Sequence, residues 1–316
     1  MEQGTITRIL QLYGIEHDDI LAPQKGYRNS SFAILRGGQP PLNLILYKNE
    51  PGMLARIIRT NAIGNFLHAR GMPARRTFSP RIMQLKSAHQ TRHAALYYYV
   101  SGSTIPWEAY TMERIKTLGK TMGNMHSILA DYSGDLPDIA DELIALNRRM
   151  VRYFVEPDVA RAMSQKLNIK IKQPSFMRLL ASCKNQPSQA LHMDFVRGNI
   201  LFEGDDITGI LDFEKAGRGT PAFDIARTLA FLLIDCKYKS EDKTYKYFIQ
   251  SGYTKRSAST FRAWQSVDRL VQFFLLHDFY KFLRHNPYEH LEQNEHFVRT
   301  KAMLLKHGII ERAHVK

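Results

Sequence analysis

Oxygen-bearing side chains lie close together in one short stretch of the sequence, and their spacing is informative. Asp194 is followed by Asn199 and then Asp212, and the run Gly204-Asp205-Asp206 between the last two is typical of a hairpin turn. Antiparallel pairing about that turn would bring Asn199 within roughly two residues of facing Asp212, beside the loop that contains Asp194. Carboxylate and amide oxygens gathered in this way suit a hard cation such as magnesium.

This set of side chains fits the chemistry of phosphoryl transfer. The reaction needs positioning, neutralisation of charge and a group that orients the nucleophile, and it needs little covalent chemistry from the protein. We therefore expect Asp194 to act as the base and Asn199 and Asp212 to bind the metal ion. The alternative is that these residues only stabilise the turns of an unrelated hairpin.

The surrounding residues resemble the aminoglycoside phosphotransferase and choline kinase family, which is related to the protein kinases. The family's motifs read His-x-Asp-x-x-x-x-Asn in the catalytic loop, Asp-[Phe/Trp]-Glu at the metal, then Gly-x-Pro-x-x-Asp-[Leu/Ile]-Ala, and Leu-Gly-x-x-Leu-x-x-Leu-His on an earlier helix. The runs that carry the resemblance here are His192-Met193-Asp194 with Asn199, Asp212-Phe213-Glu214, Gly219–Ala226 and Leu118–His126. The resemblance covers about residues 24 to 236.

The resemblance implies a role for each residue of the catalytic loop. Asp194 would receive the proton of the acceptor hydroxyl, while Asn199 and Asp212 would hold Mg²⁺ on the triphosphate of ATP or GTP. His192 is expected to brace the loop rather than to react. Arg197 stands where the family often has proline, and we count it among the candidate catalytic residues.

Two neighbouring acidic residues complete the candidate catalytic region. Glu214 could contact either the metal or the acceptor. Asp224 precedes apolar residues at helical spacing, so we expect it to be the N-cap of a helix. The family implies that this residue supports the catalytic loop.

The nucleotide-binding residues implied by the resemblance lie nearer the N-terminus. Lys48 ends an apolar strand-like run, as the phosphate-binding lysine of this fold does, although a surface lysine at a strand end would look the same. Gly26 and Asn29 belong to a run that is similar to the family's loop over the phosphates. Tyr99 and Ser101 lie in the segment that would read adenine through backbone groups.

One departure from the family concerns the partner of that lysine. The family usually has a glutamate on the helix after the lysine, but no aspartate or glutamate occurs between Pro51 and Trp107. We therefore expect Lys48 to be held by Asn61, by Glu50, or only by the nucleotide.

The elements that must position these residues change character near Val100. Before this point strand-like runs dominate, and after it apolar residues recur at helical spacing, as from Thr111 to Asp131. A strand region from Ala190 to Phe213 interrupts the helices. We predict an α+β, protein-kinase-like two-lobed fold. Residues 1–100 would form a β-rich nucleotide-binding lobe, and residues 101–316 a mainly helical lobe for catalysis and acceptor binding.

Composition limits the classes of partner. The formal net charge is +14, and the tract 237–247 interleaves bases with aromatic residues, but Glu241 and Asp242 interrupt it, so we favour a surface helix over a nucleic-acid interface. No run approaches the roughly 20 apolar residues of a membrane span. Without a signal-peptide pattern, we expect a cytoplasmic protein in which Cys183 and Cys236 are reduced.

The sequence thus predicts an ATP- (or GTP-) and Mg²⁺-dependent phosphotransferase that acts on a hydroxyl of a small molecule. A protein kinase is one alternative, but a full Gly-x-Gly-x-x-Gly loop and an Ala-Pro-Glu motif are missing. A catalytically silent module that binds nucleotide or nucleic acid is the other.

The charges near the base bear on the acceptor. Arg197 follows Asp194 closely, and a later helix carries a mostly basic stripe, which we expect to be either solvated or an acceptor wall. The stripe consists of His277, Asp278, Lys281, Arg284 and His285. We therefore expect a neutral, zwitterionic or anionic hydroxyl compound rather than a polycationic antibiotic.

Overall fold

The computed structural model describes residues 2–25, 29–86, 91–255 and 264–313, and the chain divides into two compact units. The first unit comprises Met1–Ser103 and Asn199–Glu214, and the second comprises Thr104–Gly198 and Lys215–Lys316. The segment that contains Asn199 and Asp212 is therefore grouped with the N-terminal part of the chain. The boundary near residue 100 as a division of function stays a prediction.

The elements of the described chain alternate between short strands and helices. In chain order the strands are β1 (Asp19–Ile20), β2 (Gln24–Lys25), β3 (Ser30–Arg36), β4 (Gln39–Tyr47), β5 (Thr77–Lys86), β6 (Thr91–Tyr98), β7 (Ile169–Ile171), β8 (Gln189–Leu191), β9 (Ile200–Glu203), β10 (Asp206–Ile210), β11 (Gly217–Gly219) and β12 (Ile310–Arg312). The α-helices are α1 (Glu2–Leu12), α2 (Met53–His68), α3 (Met112–Leu129), α4 (Ile139–Val155), α5 (Pro157–Leu167), α6 (Met177–Lys184), α7 (Pro221–Asp235), α8 (Glu241–Tyr245), α9 (Trp264–His285), α10 (Tyr288–Leu291) and α11 (Glu295–Lys306). Single turns of 3₁₀ helix cover Trp107–Ala109, Arg197–Asn199 and Tyr253–Lys255, and a π-helical segment covers Lys246–Gly252.

The first unit is built on an antiparallel sheet in the order β1-β3-β4-β6-β5, with β2 also paired to β3. Alternate residues of β4 face opposite sides of this sheet. Leu44 and Leu46 belong to the apolar cluster that includes α1, while Ile45 and Tyr47 belong to the cluster that includes α2. Each face of the sheet is thus covered by one helix, and the predicted strand-rich segment is confirmed.

The predicted hairpin is the pair β9 and β10, which also belongs to the first unit. Glu203 pairs with Asp206 across a two-residue turn, and Gly204 in that turn has a φ of 63°, a conformation that glycine adopts without strain. At the open end the N–H of Leu211 donates to the carbonyl of Asn199 at 2.8 Å. Asp212 follows directly, so the predicted register of Asn199 and Asp212 is confirmed.

The second unit is mainly helical. The predicted apolar stripe of α3 is completely buried, which explains why this helix lies in the core; its members are Ile115, Leu118, Met122, Met125 and Leu129. Helix α7 packs on α9, and the short strands β8 and β11 pair beside α3 and α7. Cys183 and Cys236 are both buried free thiols. Within the described ranges, no helix combines the length and apolar character that a membrane span requires.

Candidate active site

The loop that follows β8 is held by a single buried carboxylate. Asp224 accepts a hydrogen bond from the N–H of His192 at Oδ2 and another from the N–H of Met193 at Oδ1, each at 2.8 Å. The N–H of Asp194 donates to Nδ1 of His192 at 3.1 Å. These bonds fix the backbone immediately before and at Asp194, including the left-handed φ of 59° at Met193.

A buried histidine supports that carboxylate. Nε2 of His126 lies 3.1 Å from Asp224 Oδ2, and its Nδ1 lies 3.0 Å from the hydroxyl of Tyr253. Burial alone would lower the pKa of His126, but the neighbouring Tyr253 and Asp224 outweigh it and raise the pKa to about 9. Burial would conversely raise the pKa of Asp224, and the hydrogen bond from His126 holds it below its ordinary value. The two form a charged pair at neutral pH.

The prediction that Asp224 is a helix N-cap is wrong. Helix α7 begins earlier, at Pro221, and its N-cap is Thr220. The sequence held this signal, because proline is common at the first position of a helix. Asp224 lies one turn inside the helix, where its fully buried side chain reaches the loop rather than the helix end. This geometry agrees with the supporting role that the resemblance implies.

Two cations that the sequence analysis missed contact the carboxylate of Asp194. Lys215 Nζ lies 2.8 Å from Oδ1 and Arg227 Nη2 lies 3.0 Å from it. Burial would raise the pKa of Asp194, but Arg227 and then Lys215 lower it to about 2, so this side chain is ionised near neutral pH. A signal for Arg227 was available, because it stands three residues after Asp224 and thus on the same side of α7.

The other two predicted catalytic-loop residues differ in exposure. His192 is completely buried, and its ring meets Phe195 edge to face with the centroids 5.9 Å apart. This environment agrees with the bracing role expected of His192. Arg197 is exposed and lies in the 3₁₀ turn that leads to Asn199. A catalytic part for either residue stays a prediction.

The side chains of Asp212 and Asn199 offer the oxygen donors expected of a divalent-metal site. Asp212 has a left-handed φ of 56°, and its Oδ1 accepts the N–H of Glu214 at 3.2 Å. Burial and the nearby charge of Asp212 raise the pKa of Glu214. Carboxylates that repel each other in this way, together with the amide of Asn199, fit a hard divalent cation.

Asn29 connects the predicted nucleotide region with this acidic pair. Its Nδ2 donates to Glu214 Oε1 at 2.9 Å, and its Oδ1 accepts the N–H of Lys48 at 3.2 Å. Gly26, which we also expected near the phosphates, lies outside the described residues. The geometry places Asn29 beside the candidate metal motif, and its role at the phosphates stays a prediction.

The expected partners of Lys48 are engaged elsewhere. Lys48 is exposed and directly follows the last residue of β4. Asn61 accepts the hydroxyl of Tyr97 at 2.8 Å, and Glu50 pairs with Arg56 at 3.1 Å. These contacts engage one oxygen of Asn61 and one of Glu50, and which group holds Lys48 stays a prediction.

The predicted adenine-reading segment follows β6. The N–H of Tyr99 donates to the carbonyl of Pro41 at 3.2 Å, and the carbonyl of Ser101 accepts the hydroxyl of Thr208 at 2.9 Å. These bonds tie the segment to β4 and to the hairpin, all within the first unit. A role for Tyr99 and Ser101 in nucleotide binding stays a prediction.

The charged stripe of α9 is not a uniformly solvated surface, and that alternative is wrong for its central part. Asp278 is buried, and its two oxygens contact Lys281 Nζ at 2.9 Å and His296 Nε2 at 2.7 Å. Arg284 and His285, at the end of the helix, are exposed. Helix α9 is packed against α7 and α11, which explains the burial of Asp278.

His277 on α9 lies near three basic side chains, Lys281, Arg227 and Lys215. Burial lowers its pKa to about 3, and the charges of Lys281, Arg227 and Lys215 add to the effect. His277 is therefore neutral near neutral pH. Asp194, Lys215, Arg227 and the inner part of α9 thus form one charged neighbourhood within the second unit.

The fold resembles those of known small-molecule kinases. An amicoumacin kinase, hAmiN, superimposes with a TM-score of 0.70 over 96% of this chain and 91% of its own, at 12% sequence identity. Wild-type aminoglycoside 2'-phosphotransferase-IIIa superimposes with a TM-score of 0.63 over 95% of this chain and 98% of its own, at 15% identity. Choline kinase from Cryptosporidium parvum gives 0.59 over 97% of each chain, at 13% identity. The predicted two-lobed, kinase-like fold is confirmed.

The chain belongs to the phosphotransferase enzyme family (APH), whose sequence model matches residues 19–236. Among curated proteins it is similar to the homoserine kinase of Rhizobium etli, with 25% identity over 206 residues that cover 64% of this chain and 60% of that protein. The homoserine kinase of Zymomonas mobilis is 24% identical over 177 residues, which cover 55% and 53%. The chain thus matches between half and two thirds of the length of these relatives.

Proposed function

We propose that this protein transfers the γ-phosphate of ATP or GTP to a hydroxyl group of a small molecule, with Mg²⁺ as the cofactor. The observation that carries the proposal is the fixed loop of the second unit, in which Asp224 holds the backbone of His192 and Met193 and so orients the ionised Asp194. Membership of the phosphotransferase family supports the reaction class. The amicoumacin kinase was solved with AMP-PNP and Ca²⁺, which supports nucleotide and divalent-metal use.

Asp194 would act on the acceptor hydroxyl mainly by orienting it. With a pKa of about 2, its carboxylate is a weak base but a permanent hydrogen-bond acceptor at neutral pH. This suits a reaction in which positioning and charge neutralisation dominate. Lys215 and Arg227 would keep the carboxylate ionised and fixed.

The metal-binding residues proposed in the first unit are Asp212 and Asn199. When bound there, Mg²⁺ would neutralise charge on the phosphate oxygens of the nucleotide. Asp212 contributes a carboxylate and Asn199 an amide, and Glu214 adds a second carboxylate nearby.

The charges around Asp194 favour a hydroxyl compound that is neutral, zwitterionic or anionic. Lys215, Arg227 and Lys281 outnumber the carboxylates of Asp194 and Asp278 in this neighbourhood. Two like charges 4 Å apart repel by about 4 kcal/mol at an effective dielectric of 20, so a polycation would bind poorly. The similarity to homoserine kinases supports the same choice, because homoserine is a zwitterion that carries a hydroxyl.

A phosphate-transfer screen tests the proposal. Purified protein would be incubated with ATP or GTP, with and without Mg²⁺, and with homoserine, other hydroxy amino acids, choline, aminopropanol or a kanamycin-type antibiotic. We expect phosphorylation of a zwitterionic or neutral acceptor that requires Mg²⁺ and is lost in Asp194→Asn. Efficient phosphorylation of the antibiotic at micromolar KM would contradict the acceptor class. Nucleotide binding without transfer to any acceptor would favour the silent module.

A further inference from the structure

The face of the sheet that packs against α2 contains tyrosine hydroxyls and an amide. The family usually has an ion pair between a strand lysine and a helix glutamate in this region. The hydroxyls of Tyr47 and Tyr97 lie 2.6 Å apart, and Tyr97 donates to Asn61 Oδ1 on α2 at 2.8 Å. Both rings are buried, and burial raises the pKa of each hydroxyl, so the two are neutral. This arrangement supplies no negative charge to hold a lysine ammonium against α2.

Arg75 enters the same region from the connection between α2 and β5. Its guanidinium carbon lies 4.3 Å from the centroid of the Tyr97 ring, a stacking distance. Its N–H donates to the carbonyl of Ile210, the last residue of β10, at 3.0 Å, and Ala74 forms a β-bridge with the same residue. Because Asp212 stands two residues after Ile210, Arg75 is anchored directly to the segment that carries the metal motif.

Helix α2 is shaped to admit this backbone. Gly64 of α2 faces the carbonyl of Arg75 so closely that a Cβ at this position would collide with it, and the same Cβ would lie 4.0 Å from the ring of Phe213. The helix, Arg75 and the Asp212-Phe213-Glu214 motif are therefore packed against one another. Any side chain at Gly64 would push Arg75 away from the helix.

The charges that act on Arg75 agree with its position beside the Asp212-Phe213-Glu214 motif. Burial would lower its pKa, but Tyr47 and Tyr97, which carry charge only in the strongly alkaline range where an arginine titrates, and then Asp212 and Glu214 outweigh this effect and raise it. Arg75 therefore lies within electrostatic range of both carboxylates of the metal motif. A divalent cation bound to these carboxylates would balance their charge, and the guanidinium would then be left to interact with an anionic ligand.

We propose that Arg75, rather than Lys48, is the cation that contacts the nucleotide phosphates in the first unit. This inference rests on the proposed nucleotide-dependent function. The planar guanidinium can donate two parallel hydrogen bonds to a phosphate, and stacking on Tyr97 orients it without a carboxylate partner. The arrangement also accounts for a helix α2 that lacks the glutamate, since an arginine fixed by stacking and by its backbone does not need one.

The test compares Arg75→Gln with three other variants. Arg76→Gln is the matched control, because Arg76 is the next residue, is exposed and stacks on a different ring, that of Tyr98, at 3.8 Å. Lys48→Gln tests the rival cation, and Arg75→Lys restores the charge without the planar fork. Calorimetry would measure the binding of ATP, GTP and adenosine to each folded variant in the presence of Mg²⁺, and steady-state kinetics would separate nucleotide KM from kcat.

We expect Arg75→Gln to weaken triphosphate binding by about 10- to 100-fold, as loss of a charge-assisted hydrogen bond does, while adenosine affinity changes less than about threefold. Arg75→Lys should recover part of the loss, and Arg76→Gln and Lys48→Gln should bind like the unmodified protein. An equal loss for adenosine and triphosphate in Arg75→Gln would overturn the inference in favour of a purely structural role.

Lys48→Gln keeps the inference open to refutation even if Arg75→Gln does not fold. A tenfold loss of triphosphate affinity in Lys48→Gln would return the role to the strand-end lysine. Failure of the unmodified protein to bind either triphosphate would instead refute the proposed function itself, so the two failures can be told apart.

Discussion

Arg227 Nη2 lies 3.0 Å from Asp194 Oδ1, and the guanidinium that makes this contact is itself largely buried. Lys215 approaches the same oxygen from the residue after the Asp-Phe-Glu motif. The proposed base thus has two cations on one carboxylate oxygen.

Asp194→Asn should reduce turnover by about 10²- to 10⁴-fold, the range for a positioned side chain at the reacting hydroxyl, because the neutral amide loses the charge that orients this group. Nucleotide affinity should change little, since Asp212 and Asn199 are the proposed metal ligands. Turnover on the best acceptor and calorimetric nucleotide affinity would be measured together. Asp158→Asn, at an exposed surface ion pair, is the control. If Asp194→Asn turned over as fast as the unmodified protein, the role assigned to Asp194 would be disproved.

Lys215→Gln should shift the acid limb of the rate profile to higher pH. The cations hold the pKa of Asp194 at about 2, and a carboxylate with a depressed pKa is ionised at every pH above that value. Loss of one cation raises this pKa, so the ionised fraction falls at a higher pH than before. Plots of log kcat against pH from about 2.5 to 6 would show the shift, because the raised pKa still does not exceed the ordinary carboxyl value of about 3.9. Superimposable acid limbs would mean that Lys215 does not tune Asp194.

Asp212→Ala should abolish Mg²⁺-dependent nucleotide binding, and Asn199→Ala should weaken it less. A carboxylate binds a hard cation more strongly than an amide does. Titration with nucleotide at several Mg²⁺ concentrations would give the metal dependence of each variant. If both variants retained full affinity, the hairpin would not be the metal site.

Gly64→Ala should destabilise the first unit, although alanine normally favours a helix by about 0.5–1 kcal/mol over glycine. The new Cβ would collide with the Arg75 carbonyl, and such overpacking costs about 1–3 kcal/mol. Gly4→Ala on α1, where a Cβ has open space, is the matched control and should be neutral or stabilising. Denaturant titration would give the free energy of unfolding of both variants. A stabilised Gly64→Ala would show that α2 and the backbone of Arg75 can move apart without cost.

His296→Gln should reduce the loss of unfolding free energy that the unmodified protein shows as pH rises into the alkaline range. Burial opposes the charged form of His296, but Asp235 on α7 and Asp278 on α9 raise its pKa to about 9. A raised pKa contributes stability that is fully present below the unfolded value of about 6.5 and is lost as pH rises through about 9. The free energy of unfolding would be compared at pH 6 and pH 9.5. An exposed replacement, His285→Gln, should leave the slope unchanged, and an unchanged slope in His296→Gln would contradict the assignment.

Local elements, and the motifs that lie within them, could be predicted from the order of residues alone. The stripe of α3 and the alternation in β4 predict which residues face the core, because each follows the repeat of its own backbone. The approximate pairing of Asn199 with Asp212 also followed from the sequence, because a two-residue turn fixes the pairs next to it, although a bulge between Ile207 and Gly209 shifts the later pairs by one residue. Family resemblance then identified Asp194 within its loop.

The distant side chains that contact these motifs became known from the packing of the folded chain. Asp224 was predicted to cap a helix, yet it binds the loop and His126, which lies 98 residues away in the chain. The contact of Arg227 with Asp194 was signalled only by its spacing from Asp224, and the position of Arg75 near Asp212 and the burial of Asp278 had no local signal. Their roles depend on where whole helices and strands pack, and on the charge and burial that each side chain meets there. Spacing along the chain specifies neither.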